Sequence, residues 1–143
     1  MYSRINGLQL WRKIQEAGIP WTEDGTKILM ANEQSGGIPV VLQALCQEAI
    51  DEIAKARNKI PRHLMINSIP PGIVSCIHTD IVLDNPERWH LPLRTNDDAF
   101  LWTEGIGFEF LIYNRWHRVN YSSRHAVGNF GRDERVHLIV DLV

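Results

Sequence analysis

The chain has 143 residues, 44% hydrophobic and 22% charged, a composition typical of ordinary globular domains, and its length predicts a single domain over residues 1–143. Its net charge of −2 and pI near 6.3 exclude a broad basic surface, so we expect no nucleic-acid or membrane partner. No apolar run approaches the roughly 20 residues of a membrane span, and the N-terminus lacks the apolar core of a signal peptide. Cys46 and Cys76 are too few for a disulfide framework, which favours a cytoplasmic protein.

The first part of the chain, about residues 1–60, is predicted to be largely helical. Apolar residues recur at helical spacing over residues 8–17, and the pattern stops at Gly18. After a short strand expected at residues 27–30, Pro39 suits the first position of a long amphipathic helix ending near Arg57. A charged face opposite its apolar stripe is expected to be solvated. The predicted buried stripe consists of Val40, Val41, Ala44, Leu45, Ala49, Ile50, Ile53 and Ala54.

The second part, about residues 61–143, alternates short strand patterns with turn signals rich in Gly, Pro, Asn and Asp. Two helices followed by a strand-rich half predict a mainly β fold, a double-stranded β-helix or cupin-like jelly roll with the N-terminal helices packed on one sheet. The candidate strands are residues 63–69, 73–80, 88–95, 100–103, 108–113, 115–120, 125–127 and 135–143.

Two histidines and one carboxylate occur in the order H-x-D…H, at His78, Asp80 and His125. This set is typical of the facial triad that holds non-haem Fe(II) with open positions. In a strand, residues i and i+2 share a face, so His78 and Asp80 can reach one ion. Arg135 follows His125 across a predicted strand–turn–strand. This return of the chain would bring the guanidinium of Arg135 close to the metal. The forked guanidinium is suited to binding a dicarboxylate.

Further polar residues alternate with apolar ones on the neighbouring strand patterns. Arg88 and His90 share one face, so these two side chains need a polar partner if that face is the barrel interior. Arg135 and His137 share a face by the same alternation. His63 and His117 have no spaced carboxylate around them and are interpreted as structural residues.

The region from about residue 65 to residue 143 resembles the aspartyl/asparaginyl β-hydroxylase family, because it contains four motifs of that family in the same order and at similar spacing. Members of this family are Fe(II)- and 2-oxoglutarate-dependent dioxygenases, and bacterial cis-3-proline hydroxylases are similar in the same stretches. The motifs are His78-Thr79-Asp80, Arg88-Trp89-His90-Leu91-Pro92-Leu93-Arg94-Thr95-Asn96, His125-Ala126-Val127-Gly128-Asn129 and Arg135-Val136-His137-Leu138-Ile139-Val140-Asp141.

The resemblance implies hydroxylation of an unactivated C–H bond of a small molecule, amino acid or peptide, with O₂ as a further substrate. It implies that His78, Asp80 and His125 hold Fe(II). It further implies that Arg135, helped by Arg88 and His90, holds 2-oxoglutarate. For the substrate we expect contacts from the loops at residues 32–37 and 84–87 and from three side chains: Asn129, Trp102 and Trp116.

The sequence departs from the family pattern before the second metal histidine, at Asn114, Arg115 and Asn120. Asn tolerates the left-handed turn that a Gly occupies there in many members, so we expect the fold to be preserved.

Two other functions fit the same ligands. One is a non-catalytic cupin-like binding module, and the other is a zinc- or manganese-dependent isomerase or hydrolase. The basic set of Arg88, His90 and Arg135 disfavours the second, because a hydrolase does not need to bind a dicarboxylate at this position.

Overall fold

The computed structural model describes residues 1–22, 26–31 and 40–143, with the backbone alone at residues 27–31. Within these residues the elements follow the predicted order of a helical part and then strands. They are α1 (Gly7–Glu16), β1 (Lys27–Ala31), α2 (Val40–Arg57), β2 (Pro61–Ile69), β3 (Glu87–Arg94), β4 (Ala99–Thr103), β5 (Gly107–Glu109), β6 (His117–Val119), β7 (His125–Asn129) and β8 (Arg135–Leu142). Neither helix is long and apolar enough to cross a membrane.

The strands form two antiparallel sheets, which we call the large and the small sheet. The large sheet has the order β1-β2-β8-β3-β6 and the small sheet the order β5-β4-β7. From β5 onward, consecutive strands alternate between the small and the large sheet, as in a jelly roll. The predicted double-stranded β-helix is therefore confirmed.

The predicted strand at residues 73–80 is irregular. It runs beside β7 but joins it through the isolated bridges Val74↔Gly128 and His78↔His125. Between these bridges, the backbone N–H of Val127 donates to the hydroxyl of Ser75 at 2.9 Å. A side-chain oxygen thus takes the place of a carbonyl acceptor, and this interrupts the regular ladder.

Strand β8 is buried along its whole length because both of its faces are covered. Its even-numbered residues, such as Leu138 and Val140, pack with the helices in the main apolar cluster. The odd-numbered residues, among them Arg135 and Ile139, lie on the opposite face and line the space between the sheets. Alternation along one central strand therefore separates the apolar core from a polar interior.

Both helices cover the outer face of the large sheet, as predicted. α1 begins at Asn6, whose side chain accepts from the backbone N–H of Gln9 at 3.0 Å. The predicted stripe of α2 is partly wrong, since Val40 and Val41 are 80% and 56% exposed and Ala44 is also exposed. The first turn of α2 thus extends beyond the sheet. The buried residues of this helix are Leu42, Cys46, Ala49, Ile50 and Ile53.

Asn114 has a φ of 59°, which confirms the left-handed turn expected at this position. Its side-chain oxygen accepts from the backbone N–H of Gly7 at 2.9 Å. Its amide nitrogen donates to the carbonyls of Ser3 and Ile5 at 3.2 and 2.6 Å. One asparagine therefore forms the turn and also anchors the segment that leads into α1.

We expect Ile50→Asp to destabilise the protein by about 4 kcal/mol or more, because it places an unpaired carboxylate in the core. Ile50 is 1% exposed. The matched control is Val40→Asp at the exposed start of the same helix, which should change the free energy of unfolding by less than about 0.5 kcal/mol. Urea unfolding followed by circular dichroism measures both, and an Ile50→Asp protein of parental stability would exclude α2 from the core.

Candidate functional site

A cavity of about 250 Å³ lies between the two sheets. Apolar side chains from both sheets, including Met65, Leu101 and Ile139, form much of its wall. Polar side chains are grouped within it, among them Asn67, Arg135 and the three proposed metal ligands. An apolar cavity with a few convergent polar groups is the usual form of a small-molecule site.

The structure brings His78, Asp80 and His125 together, and one ligand atom from each lies within 4.8 Å of the others. The two imidazole Nε2 atoms lie 3.7 and 3.6 Å from the carboxylate oxygens of Asp80. Reciprocal backbone hydrogen bonds of 2.9 and 2.8 Å between His78 and His125 fix the positions of both histidines. The ligands therefore come from two neighbouring chain segments at the mouth of the cavity.

Both histidines are oriented by backbone carbonyls. The Nδ1 atom of His78 donates to the carbonyl of Cys76, and that of His125 donates to the carbonyl of Ser123, each at 2.8 Å. Because a carbonyl oxygen can only accept, each Nδ1 carries the proton and each Nε2 keeps its lone pair. Such partners are typical of metal-ligating histidines, so the donor set fits a divalent ion.

Arg88 connects Asp80 to the large sheet. Its Nη1 donates to Asp80 at 2.9 Å, while its Nε and Nη2 donate to the two oxygens of Asp141 at 2.7 and 2.8 Å. Burial alone would raise the pKa of Asp141, but the hydrogen bonds and positive charge of Arg88 and His63 together outweigh it, and the pKa is lowered. The guanidinium is thus held by two carboxylates and positions the carboxylate of Asp80. Arg88 also lines the cavity, so the cosubstrate contact expected for it stays a prediction.

Arg135 is 2% exposed and donates to the side-chain oxygen of Asn67 at 3.0 Å. Burial lowers the pKa of Arg135 to about 9. Among residues 1–22, 26–31 and 40–143, no carboxylate forms an ion pair with this guanidinium. A buried cation without a counter-ion is costly, so this end of the cavity favours an anionic ligand.

His90 and His137 form a buried pair beside Arg135. Their Nδ1 atoms are 3.1 Å apart, and neither Nε2 has a hydrogen-bond partner among the described residues. Burial and the positive charge of Arg135 lower the pKa of both imidazoles well below the ordinary value. Both rings are therefore neutral at neutral pH.

The three expected substrate contacts do not line the cavity. The side chain of Asn129 is fully buried and donates to the carbonyls of Ile69 and Asp133, which stabilises a turn. Trp116 lies in the helix-side core, where its Nε1 donates to Glu52 at 2.8 Å. Strand alternation places Trp102 on the outer face of the small sheet, since its neighbour Leu101 faces the cavity.

Two loops were expected to contact the substrate, at residues 32–37 and 84–87. Residues 32–37 lie outside the described residues. In the loop at residues 84–87, Glu87 pairs with Arg57 at 3.1 Å and Pro86 accepts from the hydroxyl of Tyr121 at 2.8 Å. Neither residue lines the cavity.

Sequence reasoning missed Asp141 and Asn67 as site residues. Asp141 shares a strand face with Arg135 and lies opposite Arg88 in the register of β3 and β8. The alternation of β8 alone could have indicated that Asp141 faces the interior. Asn67 had no comparable signal. Two histidines were interpreted as structural. His63 contacts Asp141, and His117 contacts the backbone of Ile112.

No protein-family model and no curated protein sequence matches the chain. Among solved structures, the chain is similar to the non-haem monooxygenase ThoJ in a nickel complex, with a TM-score of 0.66 and 11% identity over 99% of this chain and 70% of that one. A DMSP lyase from Ruegeria pomeroyi DSS-3 gives a TM-score of 0.47 and 12% identity over 96% of this chain and 91% of that one. A cupin domain from Bordetella pertussis Tohama I gives a TM-score of 0.46 and 18% identity over 59% of this chain and 93% of that one.

At these identities the likeness concerns the fold alone. The similarity to ThoJ covers nearly the whole chain, including both helices and both sheets. Together with the strand order of the two sheets, it shows that this chain has a double-stranded β-helix fold.

Proposed function

We propose that the chain is an Fe(II)- and 2-oxoglutarate-dependent dioxygenase, related to the aspartyl/asparaginyl β-hydroxylases, that hydroxylates a C–H bond of a small molecule or peptide. One observation carries the proposal: a His-Asp-His cluster shares a cavity with a buried arginine that has no carboxylate partner among the described residues. The cluster fits a divalent metal ion, and the arginine fits one end of a dicarboxylate.

The proposed roles follow from the contacts. His78, Asp80 and His125 would hold iron through two Nε2 atoms and a carboxylate oxygen. Arg88 holds Asp80 in place through its bidentate pair with the buried Asp141. Because Asp141 is anchored in the large sheet, the metal-binding carboxylate has little freedom to turn away from the two histidines.

Arg135 would bind the distal carboxylate of 2-oxoglutarate at the inner end of the cavity. Its fork can donate two parallel hydrogen bonds to a carboxylate, which a point charge cannot reproduce. Asn67 holds the guanidinium from one side, and His90 lies on the same cavity wall. The anion would thus supply the negative charge that the buried arginine lacks.

When bound, iron and 2-oxoglutarate would supply the oxidising chemistry, while the protein binds, orients and excludes water. The apolar wall formed by residues such as Met65, Leu101 and Ile139 limits the access of water to the inner cavity. Release of succinate with a candidate substrate, or 2-oxoglutarate turnover without one, would distinguish this function from a non-catalytic binding module.

The ThoJ similarity supports the proposal at the level of the fold, since that structure is a non-haem monooxygenase in a nickel complex. The buried Arg135 disfavours a zinc- or manganese-dependent isomerase or hydrolase, because such a reaction gives no reason to bury a cation at the inner end of the cavity.

Replacing His78 with Ala should abolish stoichiometric Fe(II) binding, because two of three protein ligands hold a divalent ion poorly. The fold should survive, since the core is formed by apolar residues on the other face of the large sheet. Metal analysis after anaerobic dialysis measures the loss. His117→Ala is the matched control, because His117 contacts the backbone of Ile112 outside the cluster. Equal iron affinity in the His78→Ala protein would contradict the ligand assignment.

Arg135→Lys should weaken 2-oxoglutarate binding by roughly 1.5–3 kcal/mol, the usual contribution of a hydrogen bond to a charged group, with little change in Fe(II) affinity. Anaerobic calorimetry on the Fe(II)-loaded protein measures both constants. Arg118→Lys is the control, since Arg118 is 61% exposed and lies 3.8 Å from Glu87. Unchanged 2-oxoglutarate affinity in the Arg135→Lys protein would remove Arg135 from the binding site.

A further inference from the structure

The His90–His137 pair is not explained by metal binding. His90 lies on β3 and His137 on β8, and their side chains meet on the cavity face of the large sheet. The two residues are 6% and 1% exposed. Each Nε2 atom is buried and has no hydrogen-bond partner among the described residues. Buried polar atoms are rarely left unpaired, so these two atoms call for a ligand.

Proton counting restricts the pair to two arrangements. A hydrogen bond between two Nδ1 atoms requires that one ring donates and the other accepts. In two neutral imidazoles, the donating ring then has a bare Nε2, while the accepting ring carries its proton on Nε2. Either His90 or His137 must therefore present an N–H at Nε2, and the other must present a lone pair.

The charges around the pair favour neutral rings and a nearby anion. Arg135 and Arg88 contribute positive charge near His90, and His117 and His125 are the other titratable neighbours of that ring.

Of the two arginines, Arg88 is already neutralised by Asp80 and Asp141. Arg135 is the remaining buried cation of the cavity wall among the described residues, and His90 lies on that wall.

We propose that His137 is a positioning residue that donates its Nδ1–H to His90 and so makes the Nε2 atom of His90 a hydrogen-bond donor to a carboxylate in the cavity. In the opposite arrangement a lone pair of His90 would face the anion, and a buried N–H of His137 would have no acceptor. Binding of a carboxylate therefore selects the first arrangement. The identity of that carboxylate, 2-oxoglutarate, rests on the proposed function.

The consequence is that the cavity offers the anion two kinds of donor. Arg135 provides a charge with a forked geometry, and His90 provides a neutral donor whose tautomer is fixed by His137. A neutral donor adds a directed hydrogen bond without placing a second uncompensated cation in a buried space.

The test compares His137→Leu with His137→Asn. An asparagine side chain can place its amide nitrogen near the position of the imidazole Nδ1 and donate to His90, whereas leucine cannot donate. Calorimetry on the Fe(II)-loaded protein should show about tenfold or weaker 2-oxoglutarate binding for His137→Leu, the loss expected for one hydrogen bond to a charged group. His137→Asn should stay within about threefold of the parent, a difference below one such bond.

A purely structural role of His137 would not change the tautomer of His90, so the tautomer is the second readout. Nitrogen NMR of the zinc-loaded, ¹⁵N-histidine-labelled protein with 2-oxoglutarate should show a protonated Nε2 on His90 in the parent and in His137→Asn. In His137→Leu, where nothing donates to Nδ1 of His90, the proton should no longer be fixed on Nε2, and the Nε2-protonated fraction of His90 should fall.

Several results would overturn the proposal. One is a bare Nε2 on His90 in the ligand-bound parent, which needs no variant and is decisive even if His137→Leu does not fold. Another is a His137→Leu protein that binds 2-oxoglutarate as tightly as the parent. If the parent itself binds no 2-oxoglutarate, the proposed function fails, and malonate replaces it as the probe. An Nε2-protonated fraction of His90 that is higher with malonate in the parent and in His137→Asn than in His137→Leu then supports the proposal, and an equal fraction in all three proteins overturns it.

Discussion

The burial of strand β8 on both faces is the constraint on which the rest of the structure depends. One face must be apolar to pack against α1 and α2, and it is formed by the even-numbered residues of the strand. The other face carries Arg135, His137 and Asp141, so three polar side chains are buried between the sheets. Buried polar groups need partners, and the partners of these three define the site: Asp141 binds Arg88, His137 binds His90, and Arg135 has a neutral amide.

The cavity has an uneven distribution of charge. At its mouth, Asp80 and Asp141 neutralise Arg88 and leave two histidine Nε2 atoms directed at one carboxylate. At the inner end, Arg135 is balanced by no carboxylate among the described residues. A metal ion at the mouth would bind the two Nε2 atoms and the carboxylate of Asp80, and a dicarboxylate reaching from the metal to Arg135 would supply the missing negative charge at the inner end. The two ligands are therefore proposed together.

Much of this arrangement could be predicted from the sequence, because it depends on alternation along single segments. The spacing of Arg135 and His137 places this pair on one face of β8, whichever strands lie beside it. The same i, i+2 spacing of His78 and Asp80 predicted the cluster, although their segment is irregular. The fold class followed from helices that precede a series of short strands.

The rest depends on contacts between distant segments. The role of Arg88 depends on its register opposite Asp141, and the burial of Trp116 depends on the position of α2. The irregular segment at residues 73–80 depends on one hydroxyl, that of Ser75, which pairs with a strand more than 50 residues away. Sequence periodicity contains no information on such pairings.

The most direct test of the account is a crystal structure of the protein grown anaerobically with Fe(II) and 2-oxoglutarate. We expect one iron ion bound by His78, Asp80 and His125. We also expect a 2-oxoglutarate molecule that contacts the iron at one end and has its distal carboxylate on the guanidinium of Arg135. Iron bound at other residues, or a fully occupied metal site with no dicarboxylate at Arg135, would contradict the proposal.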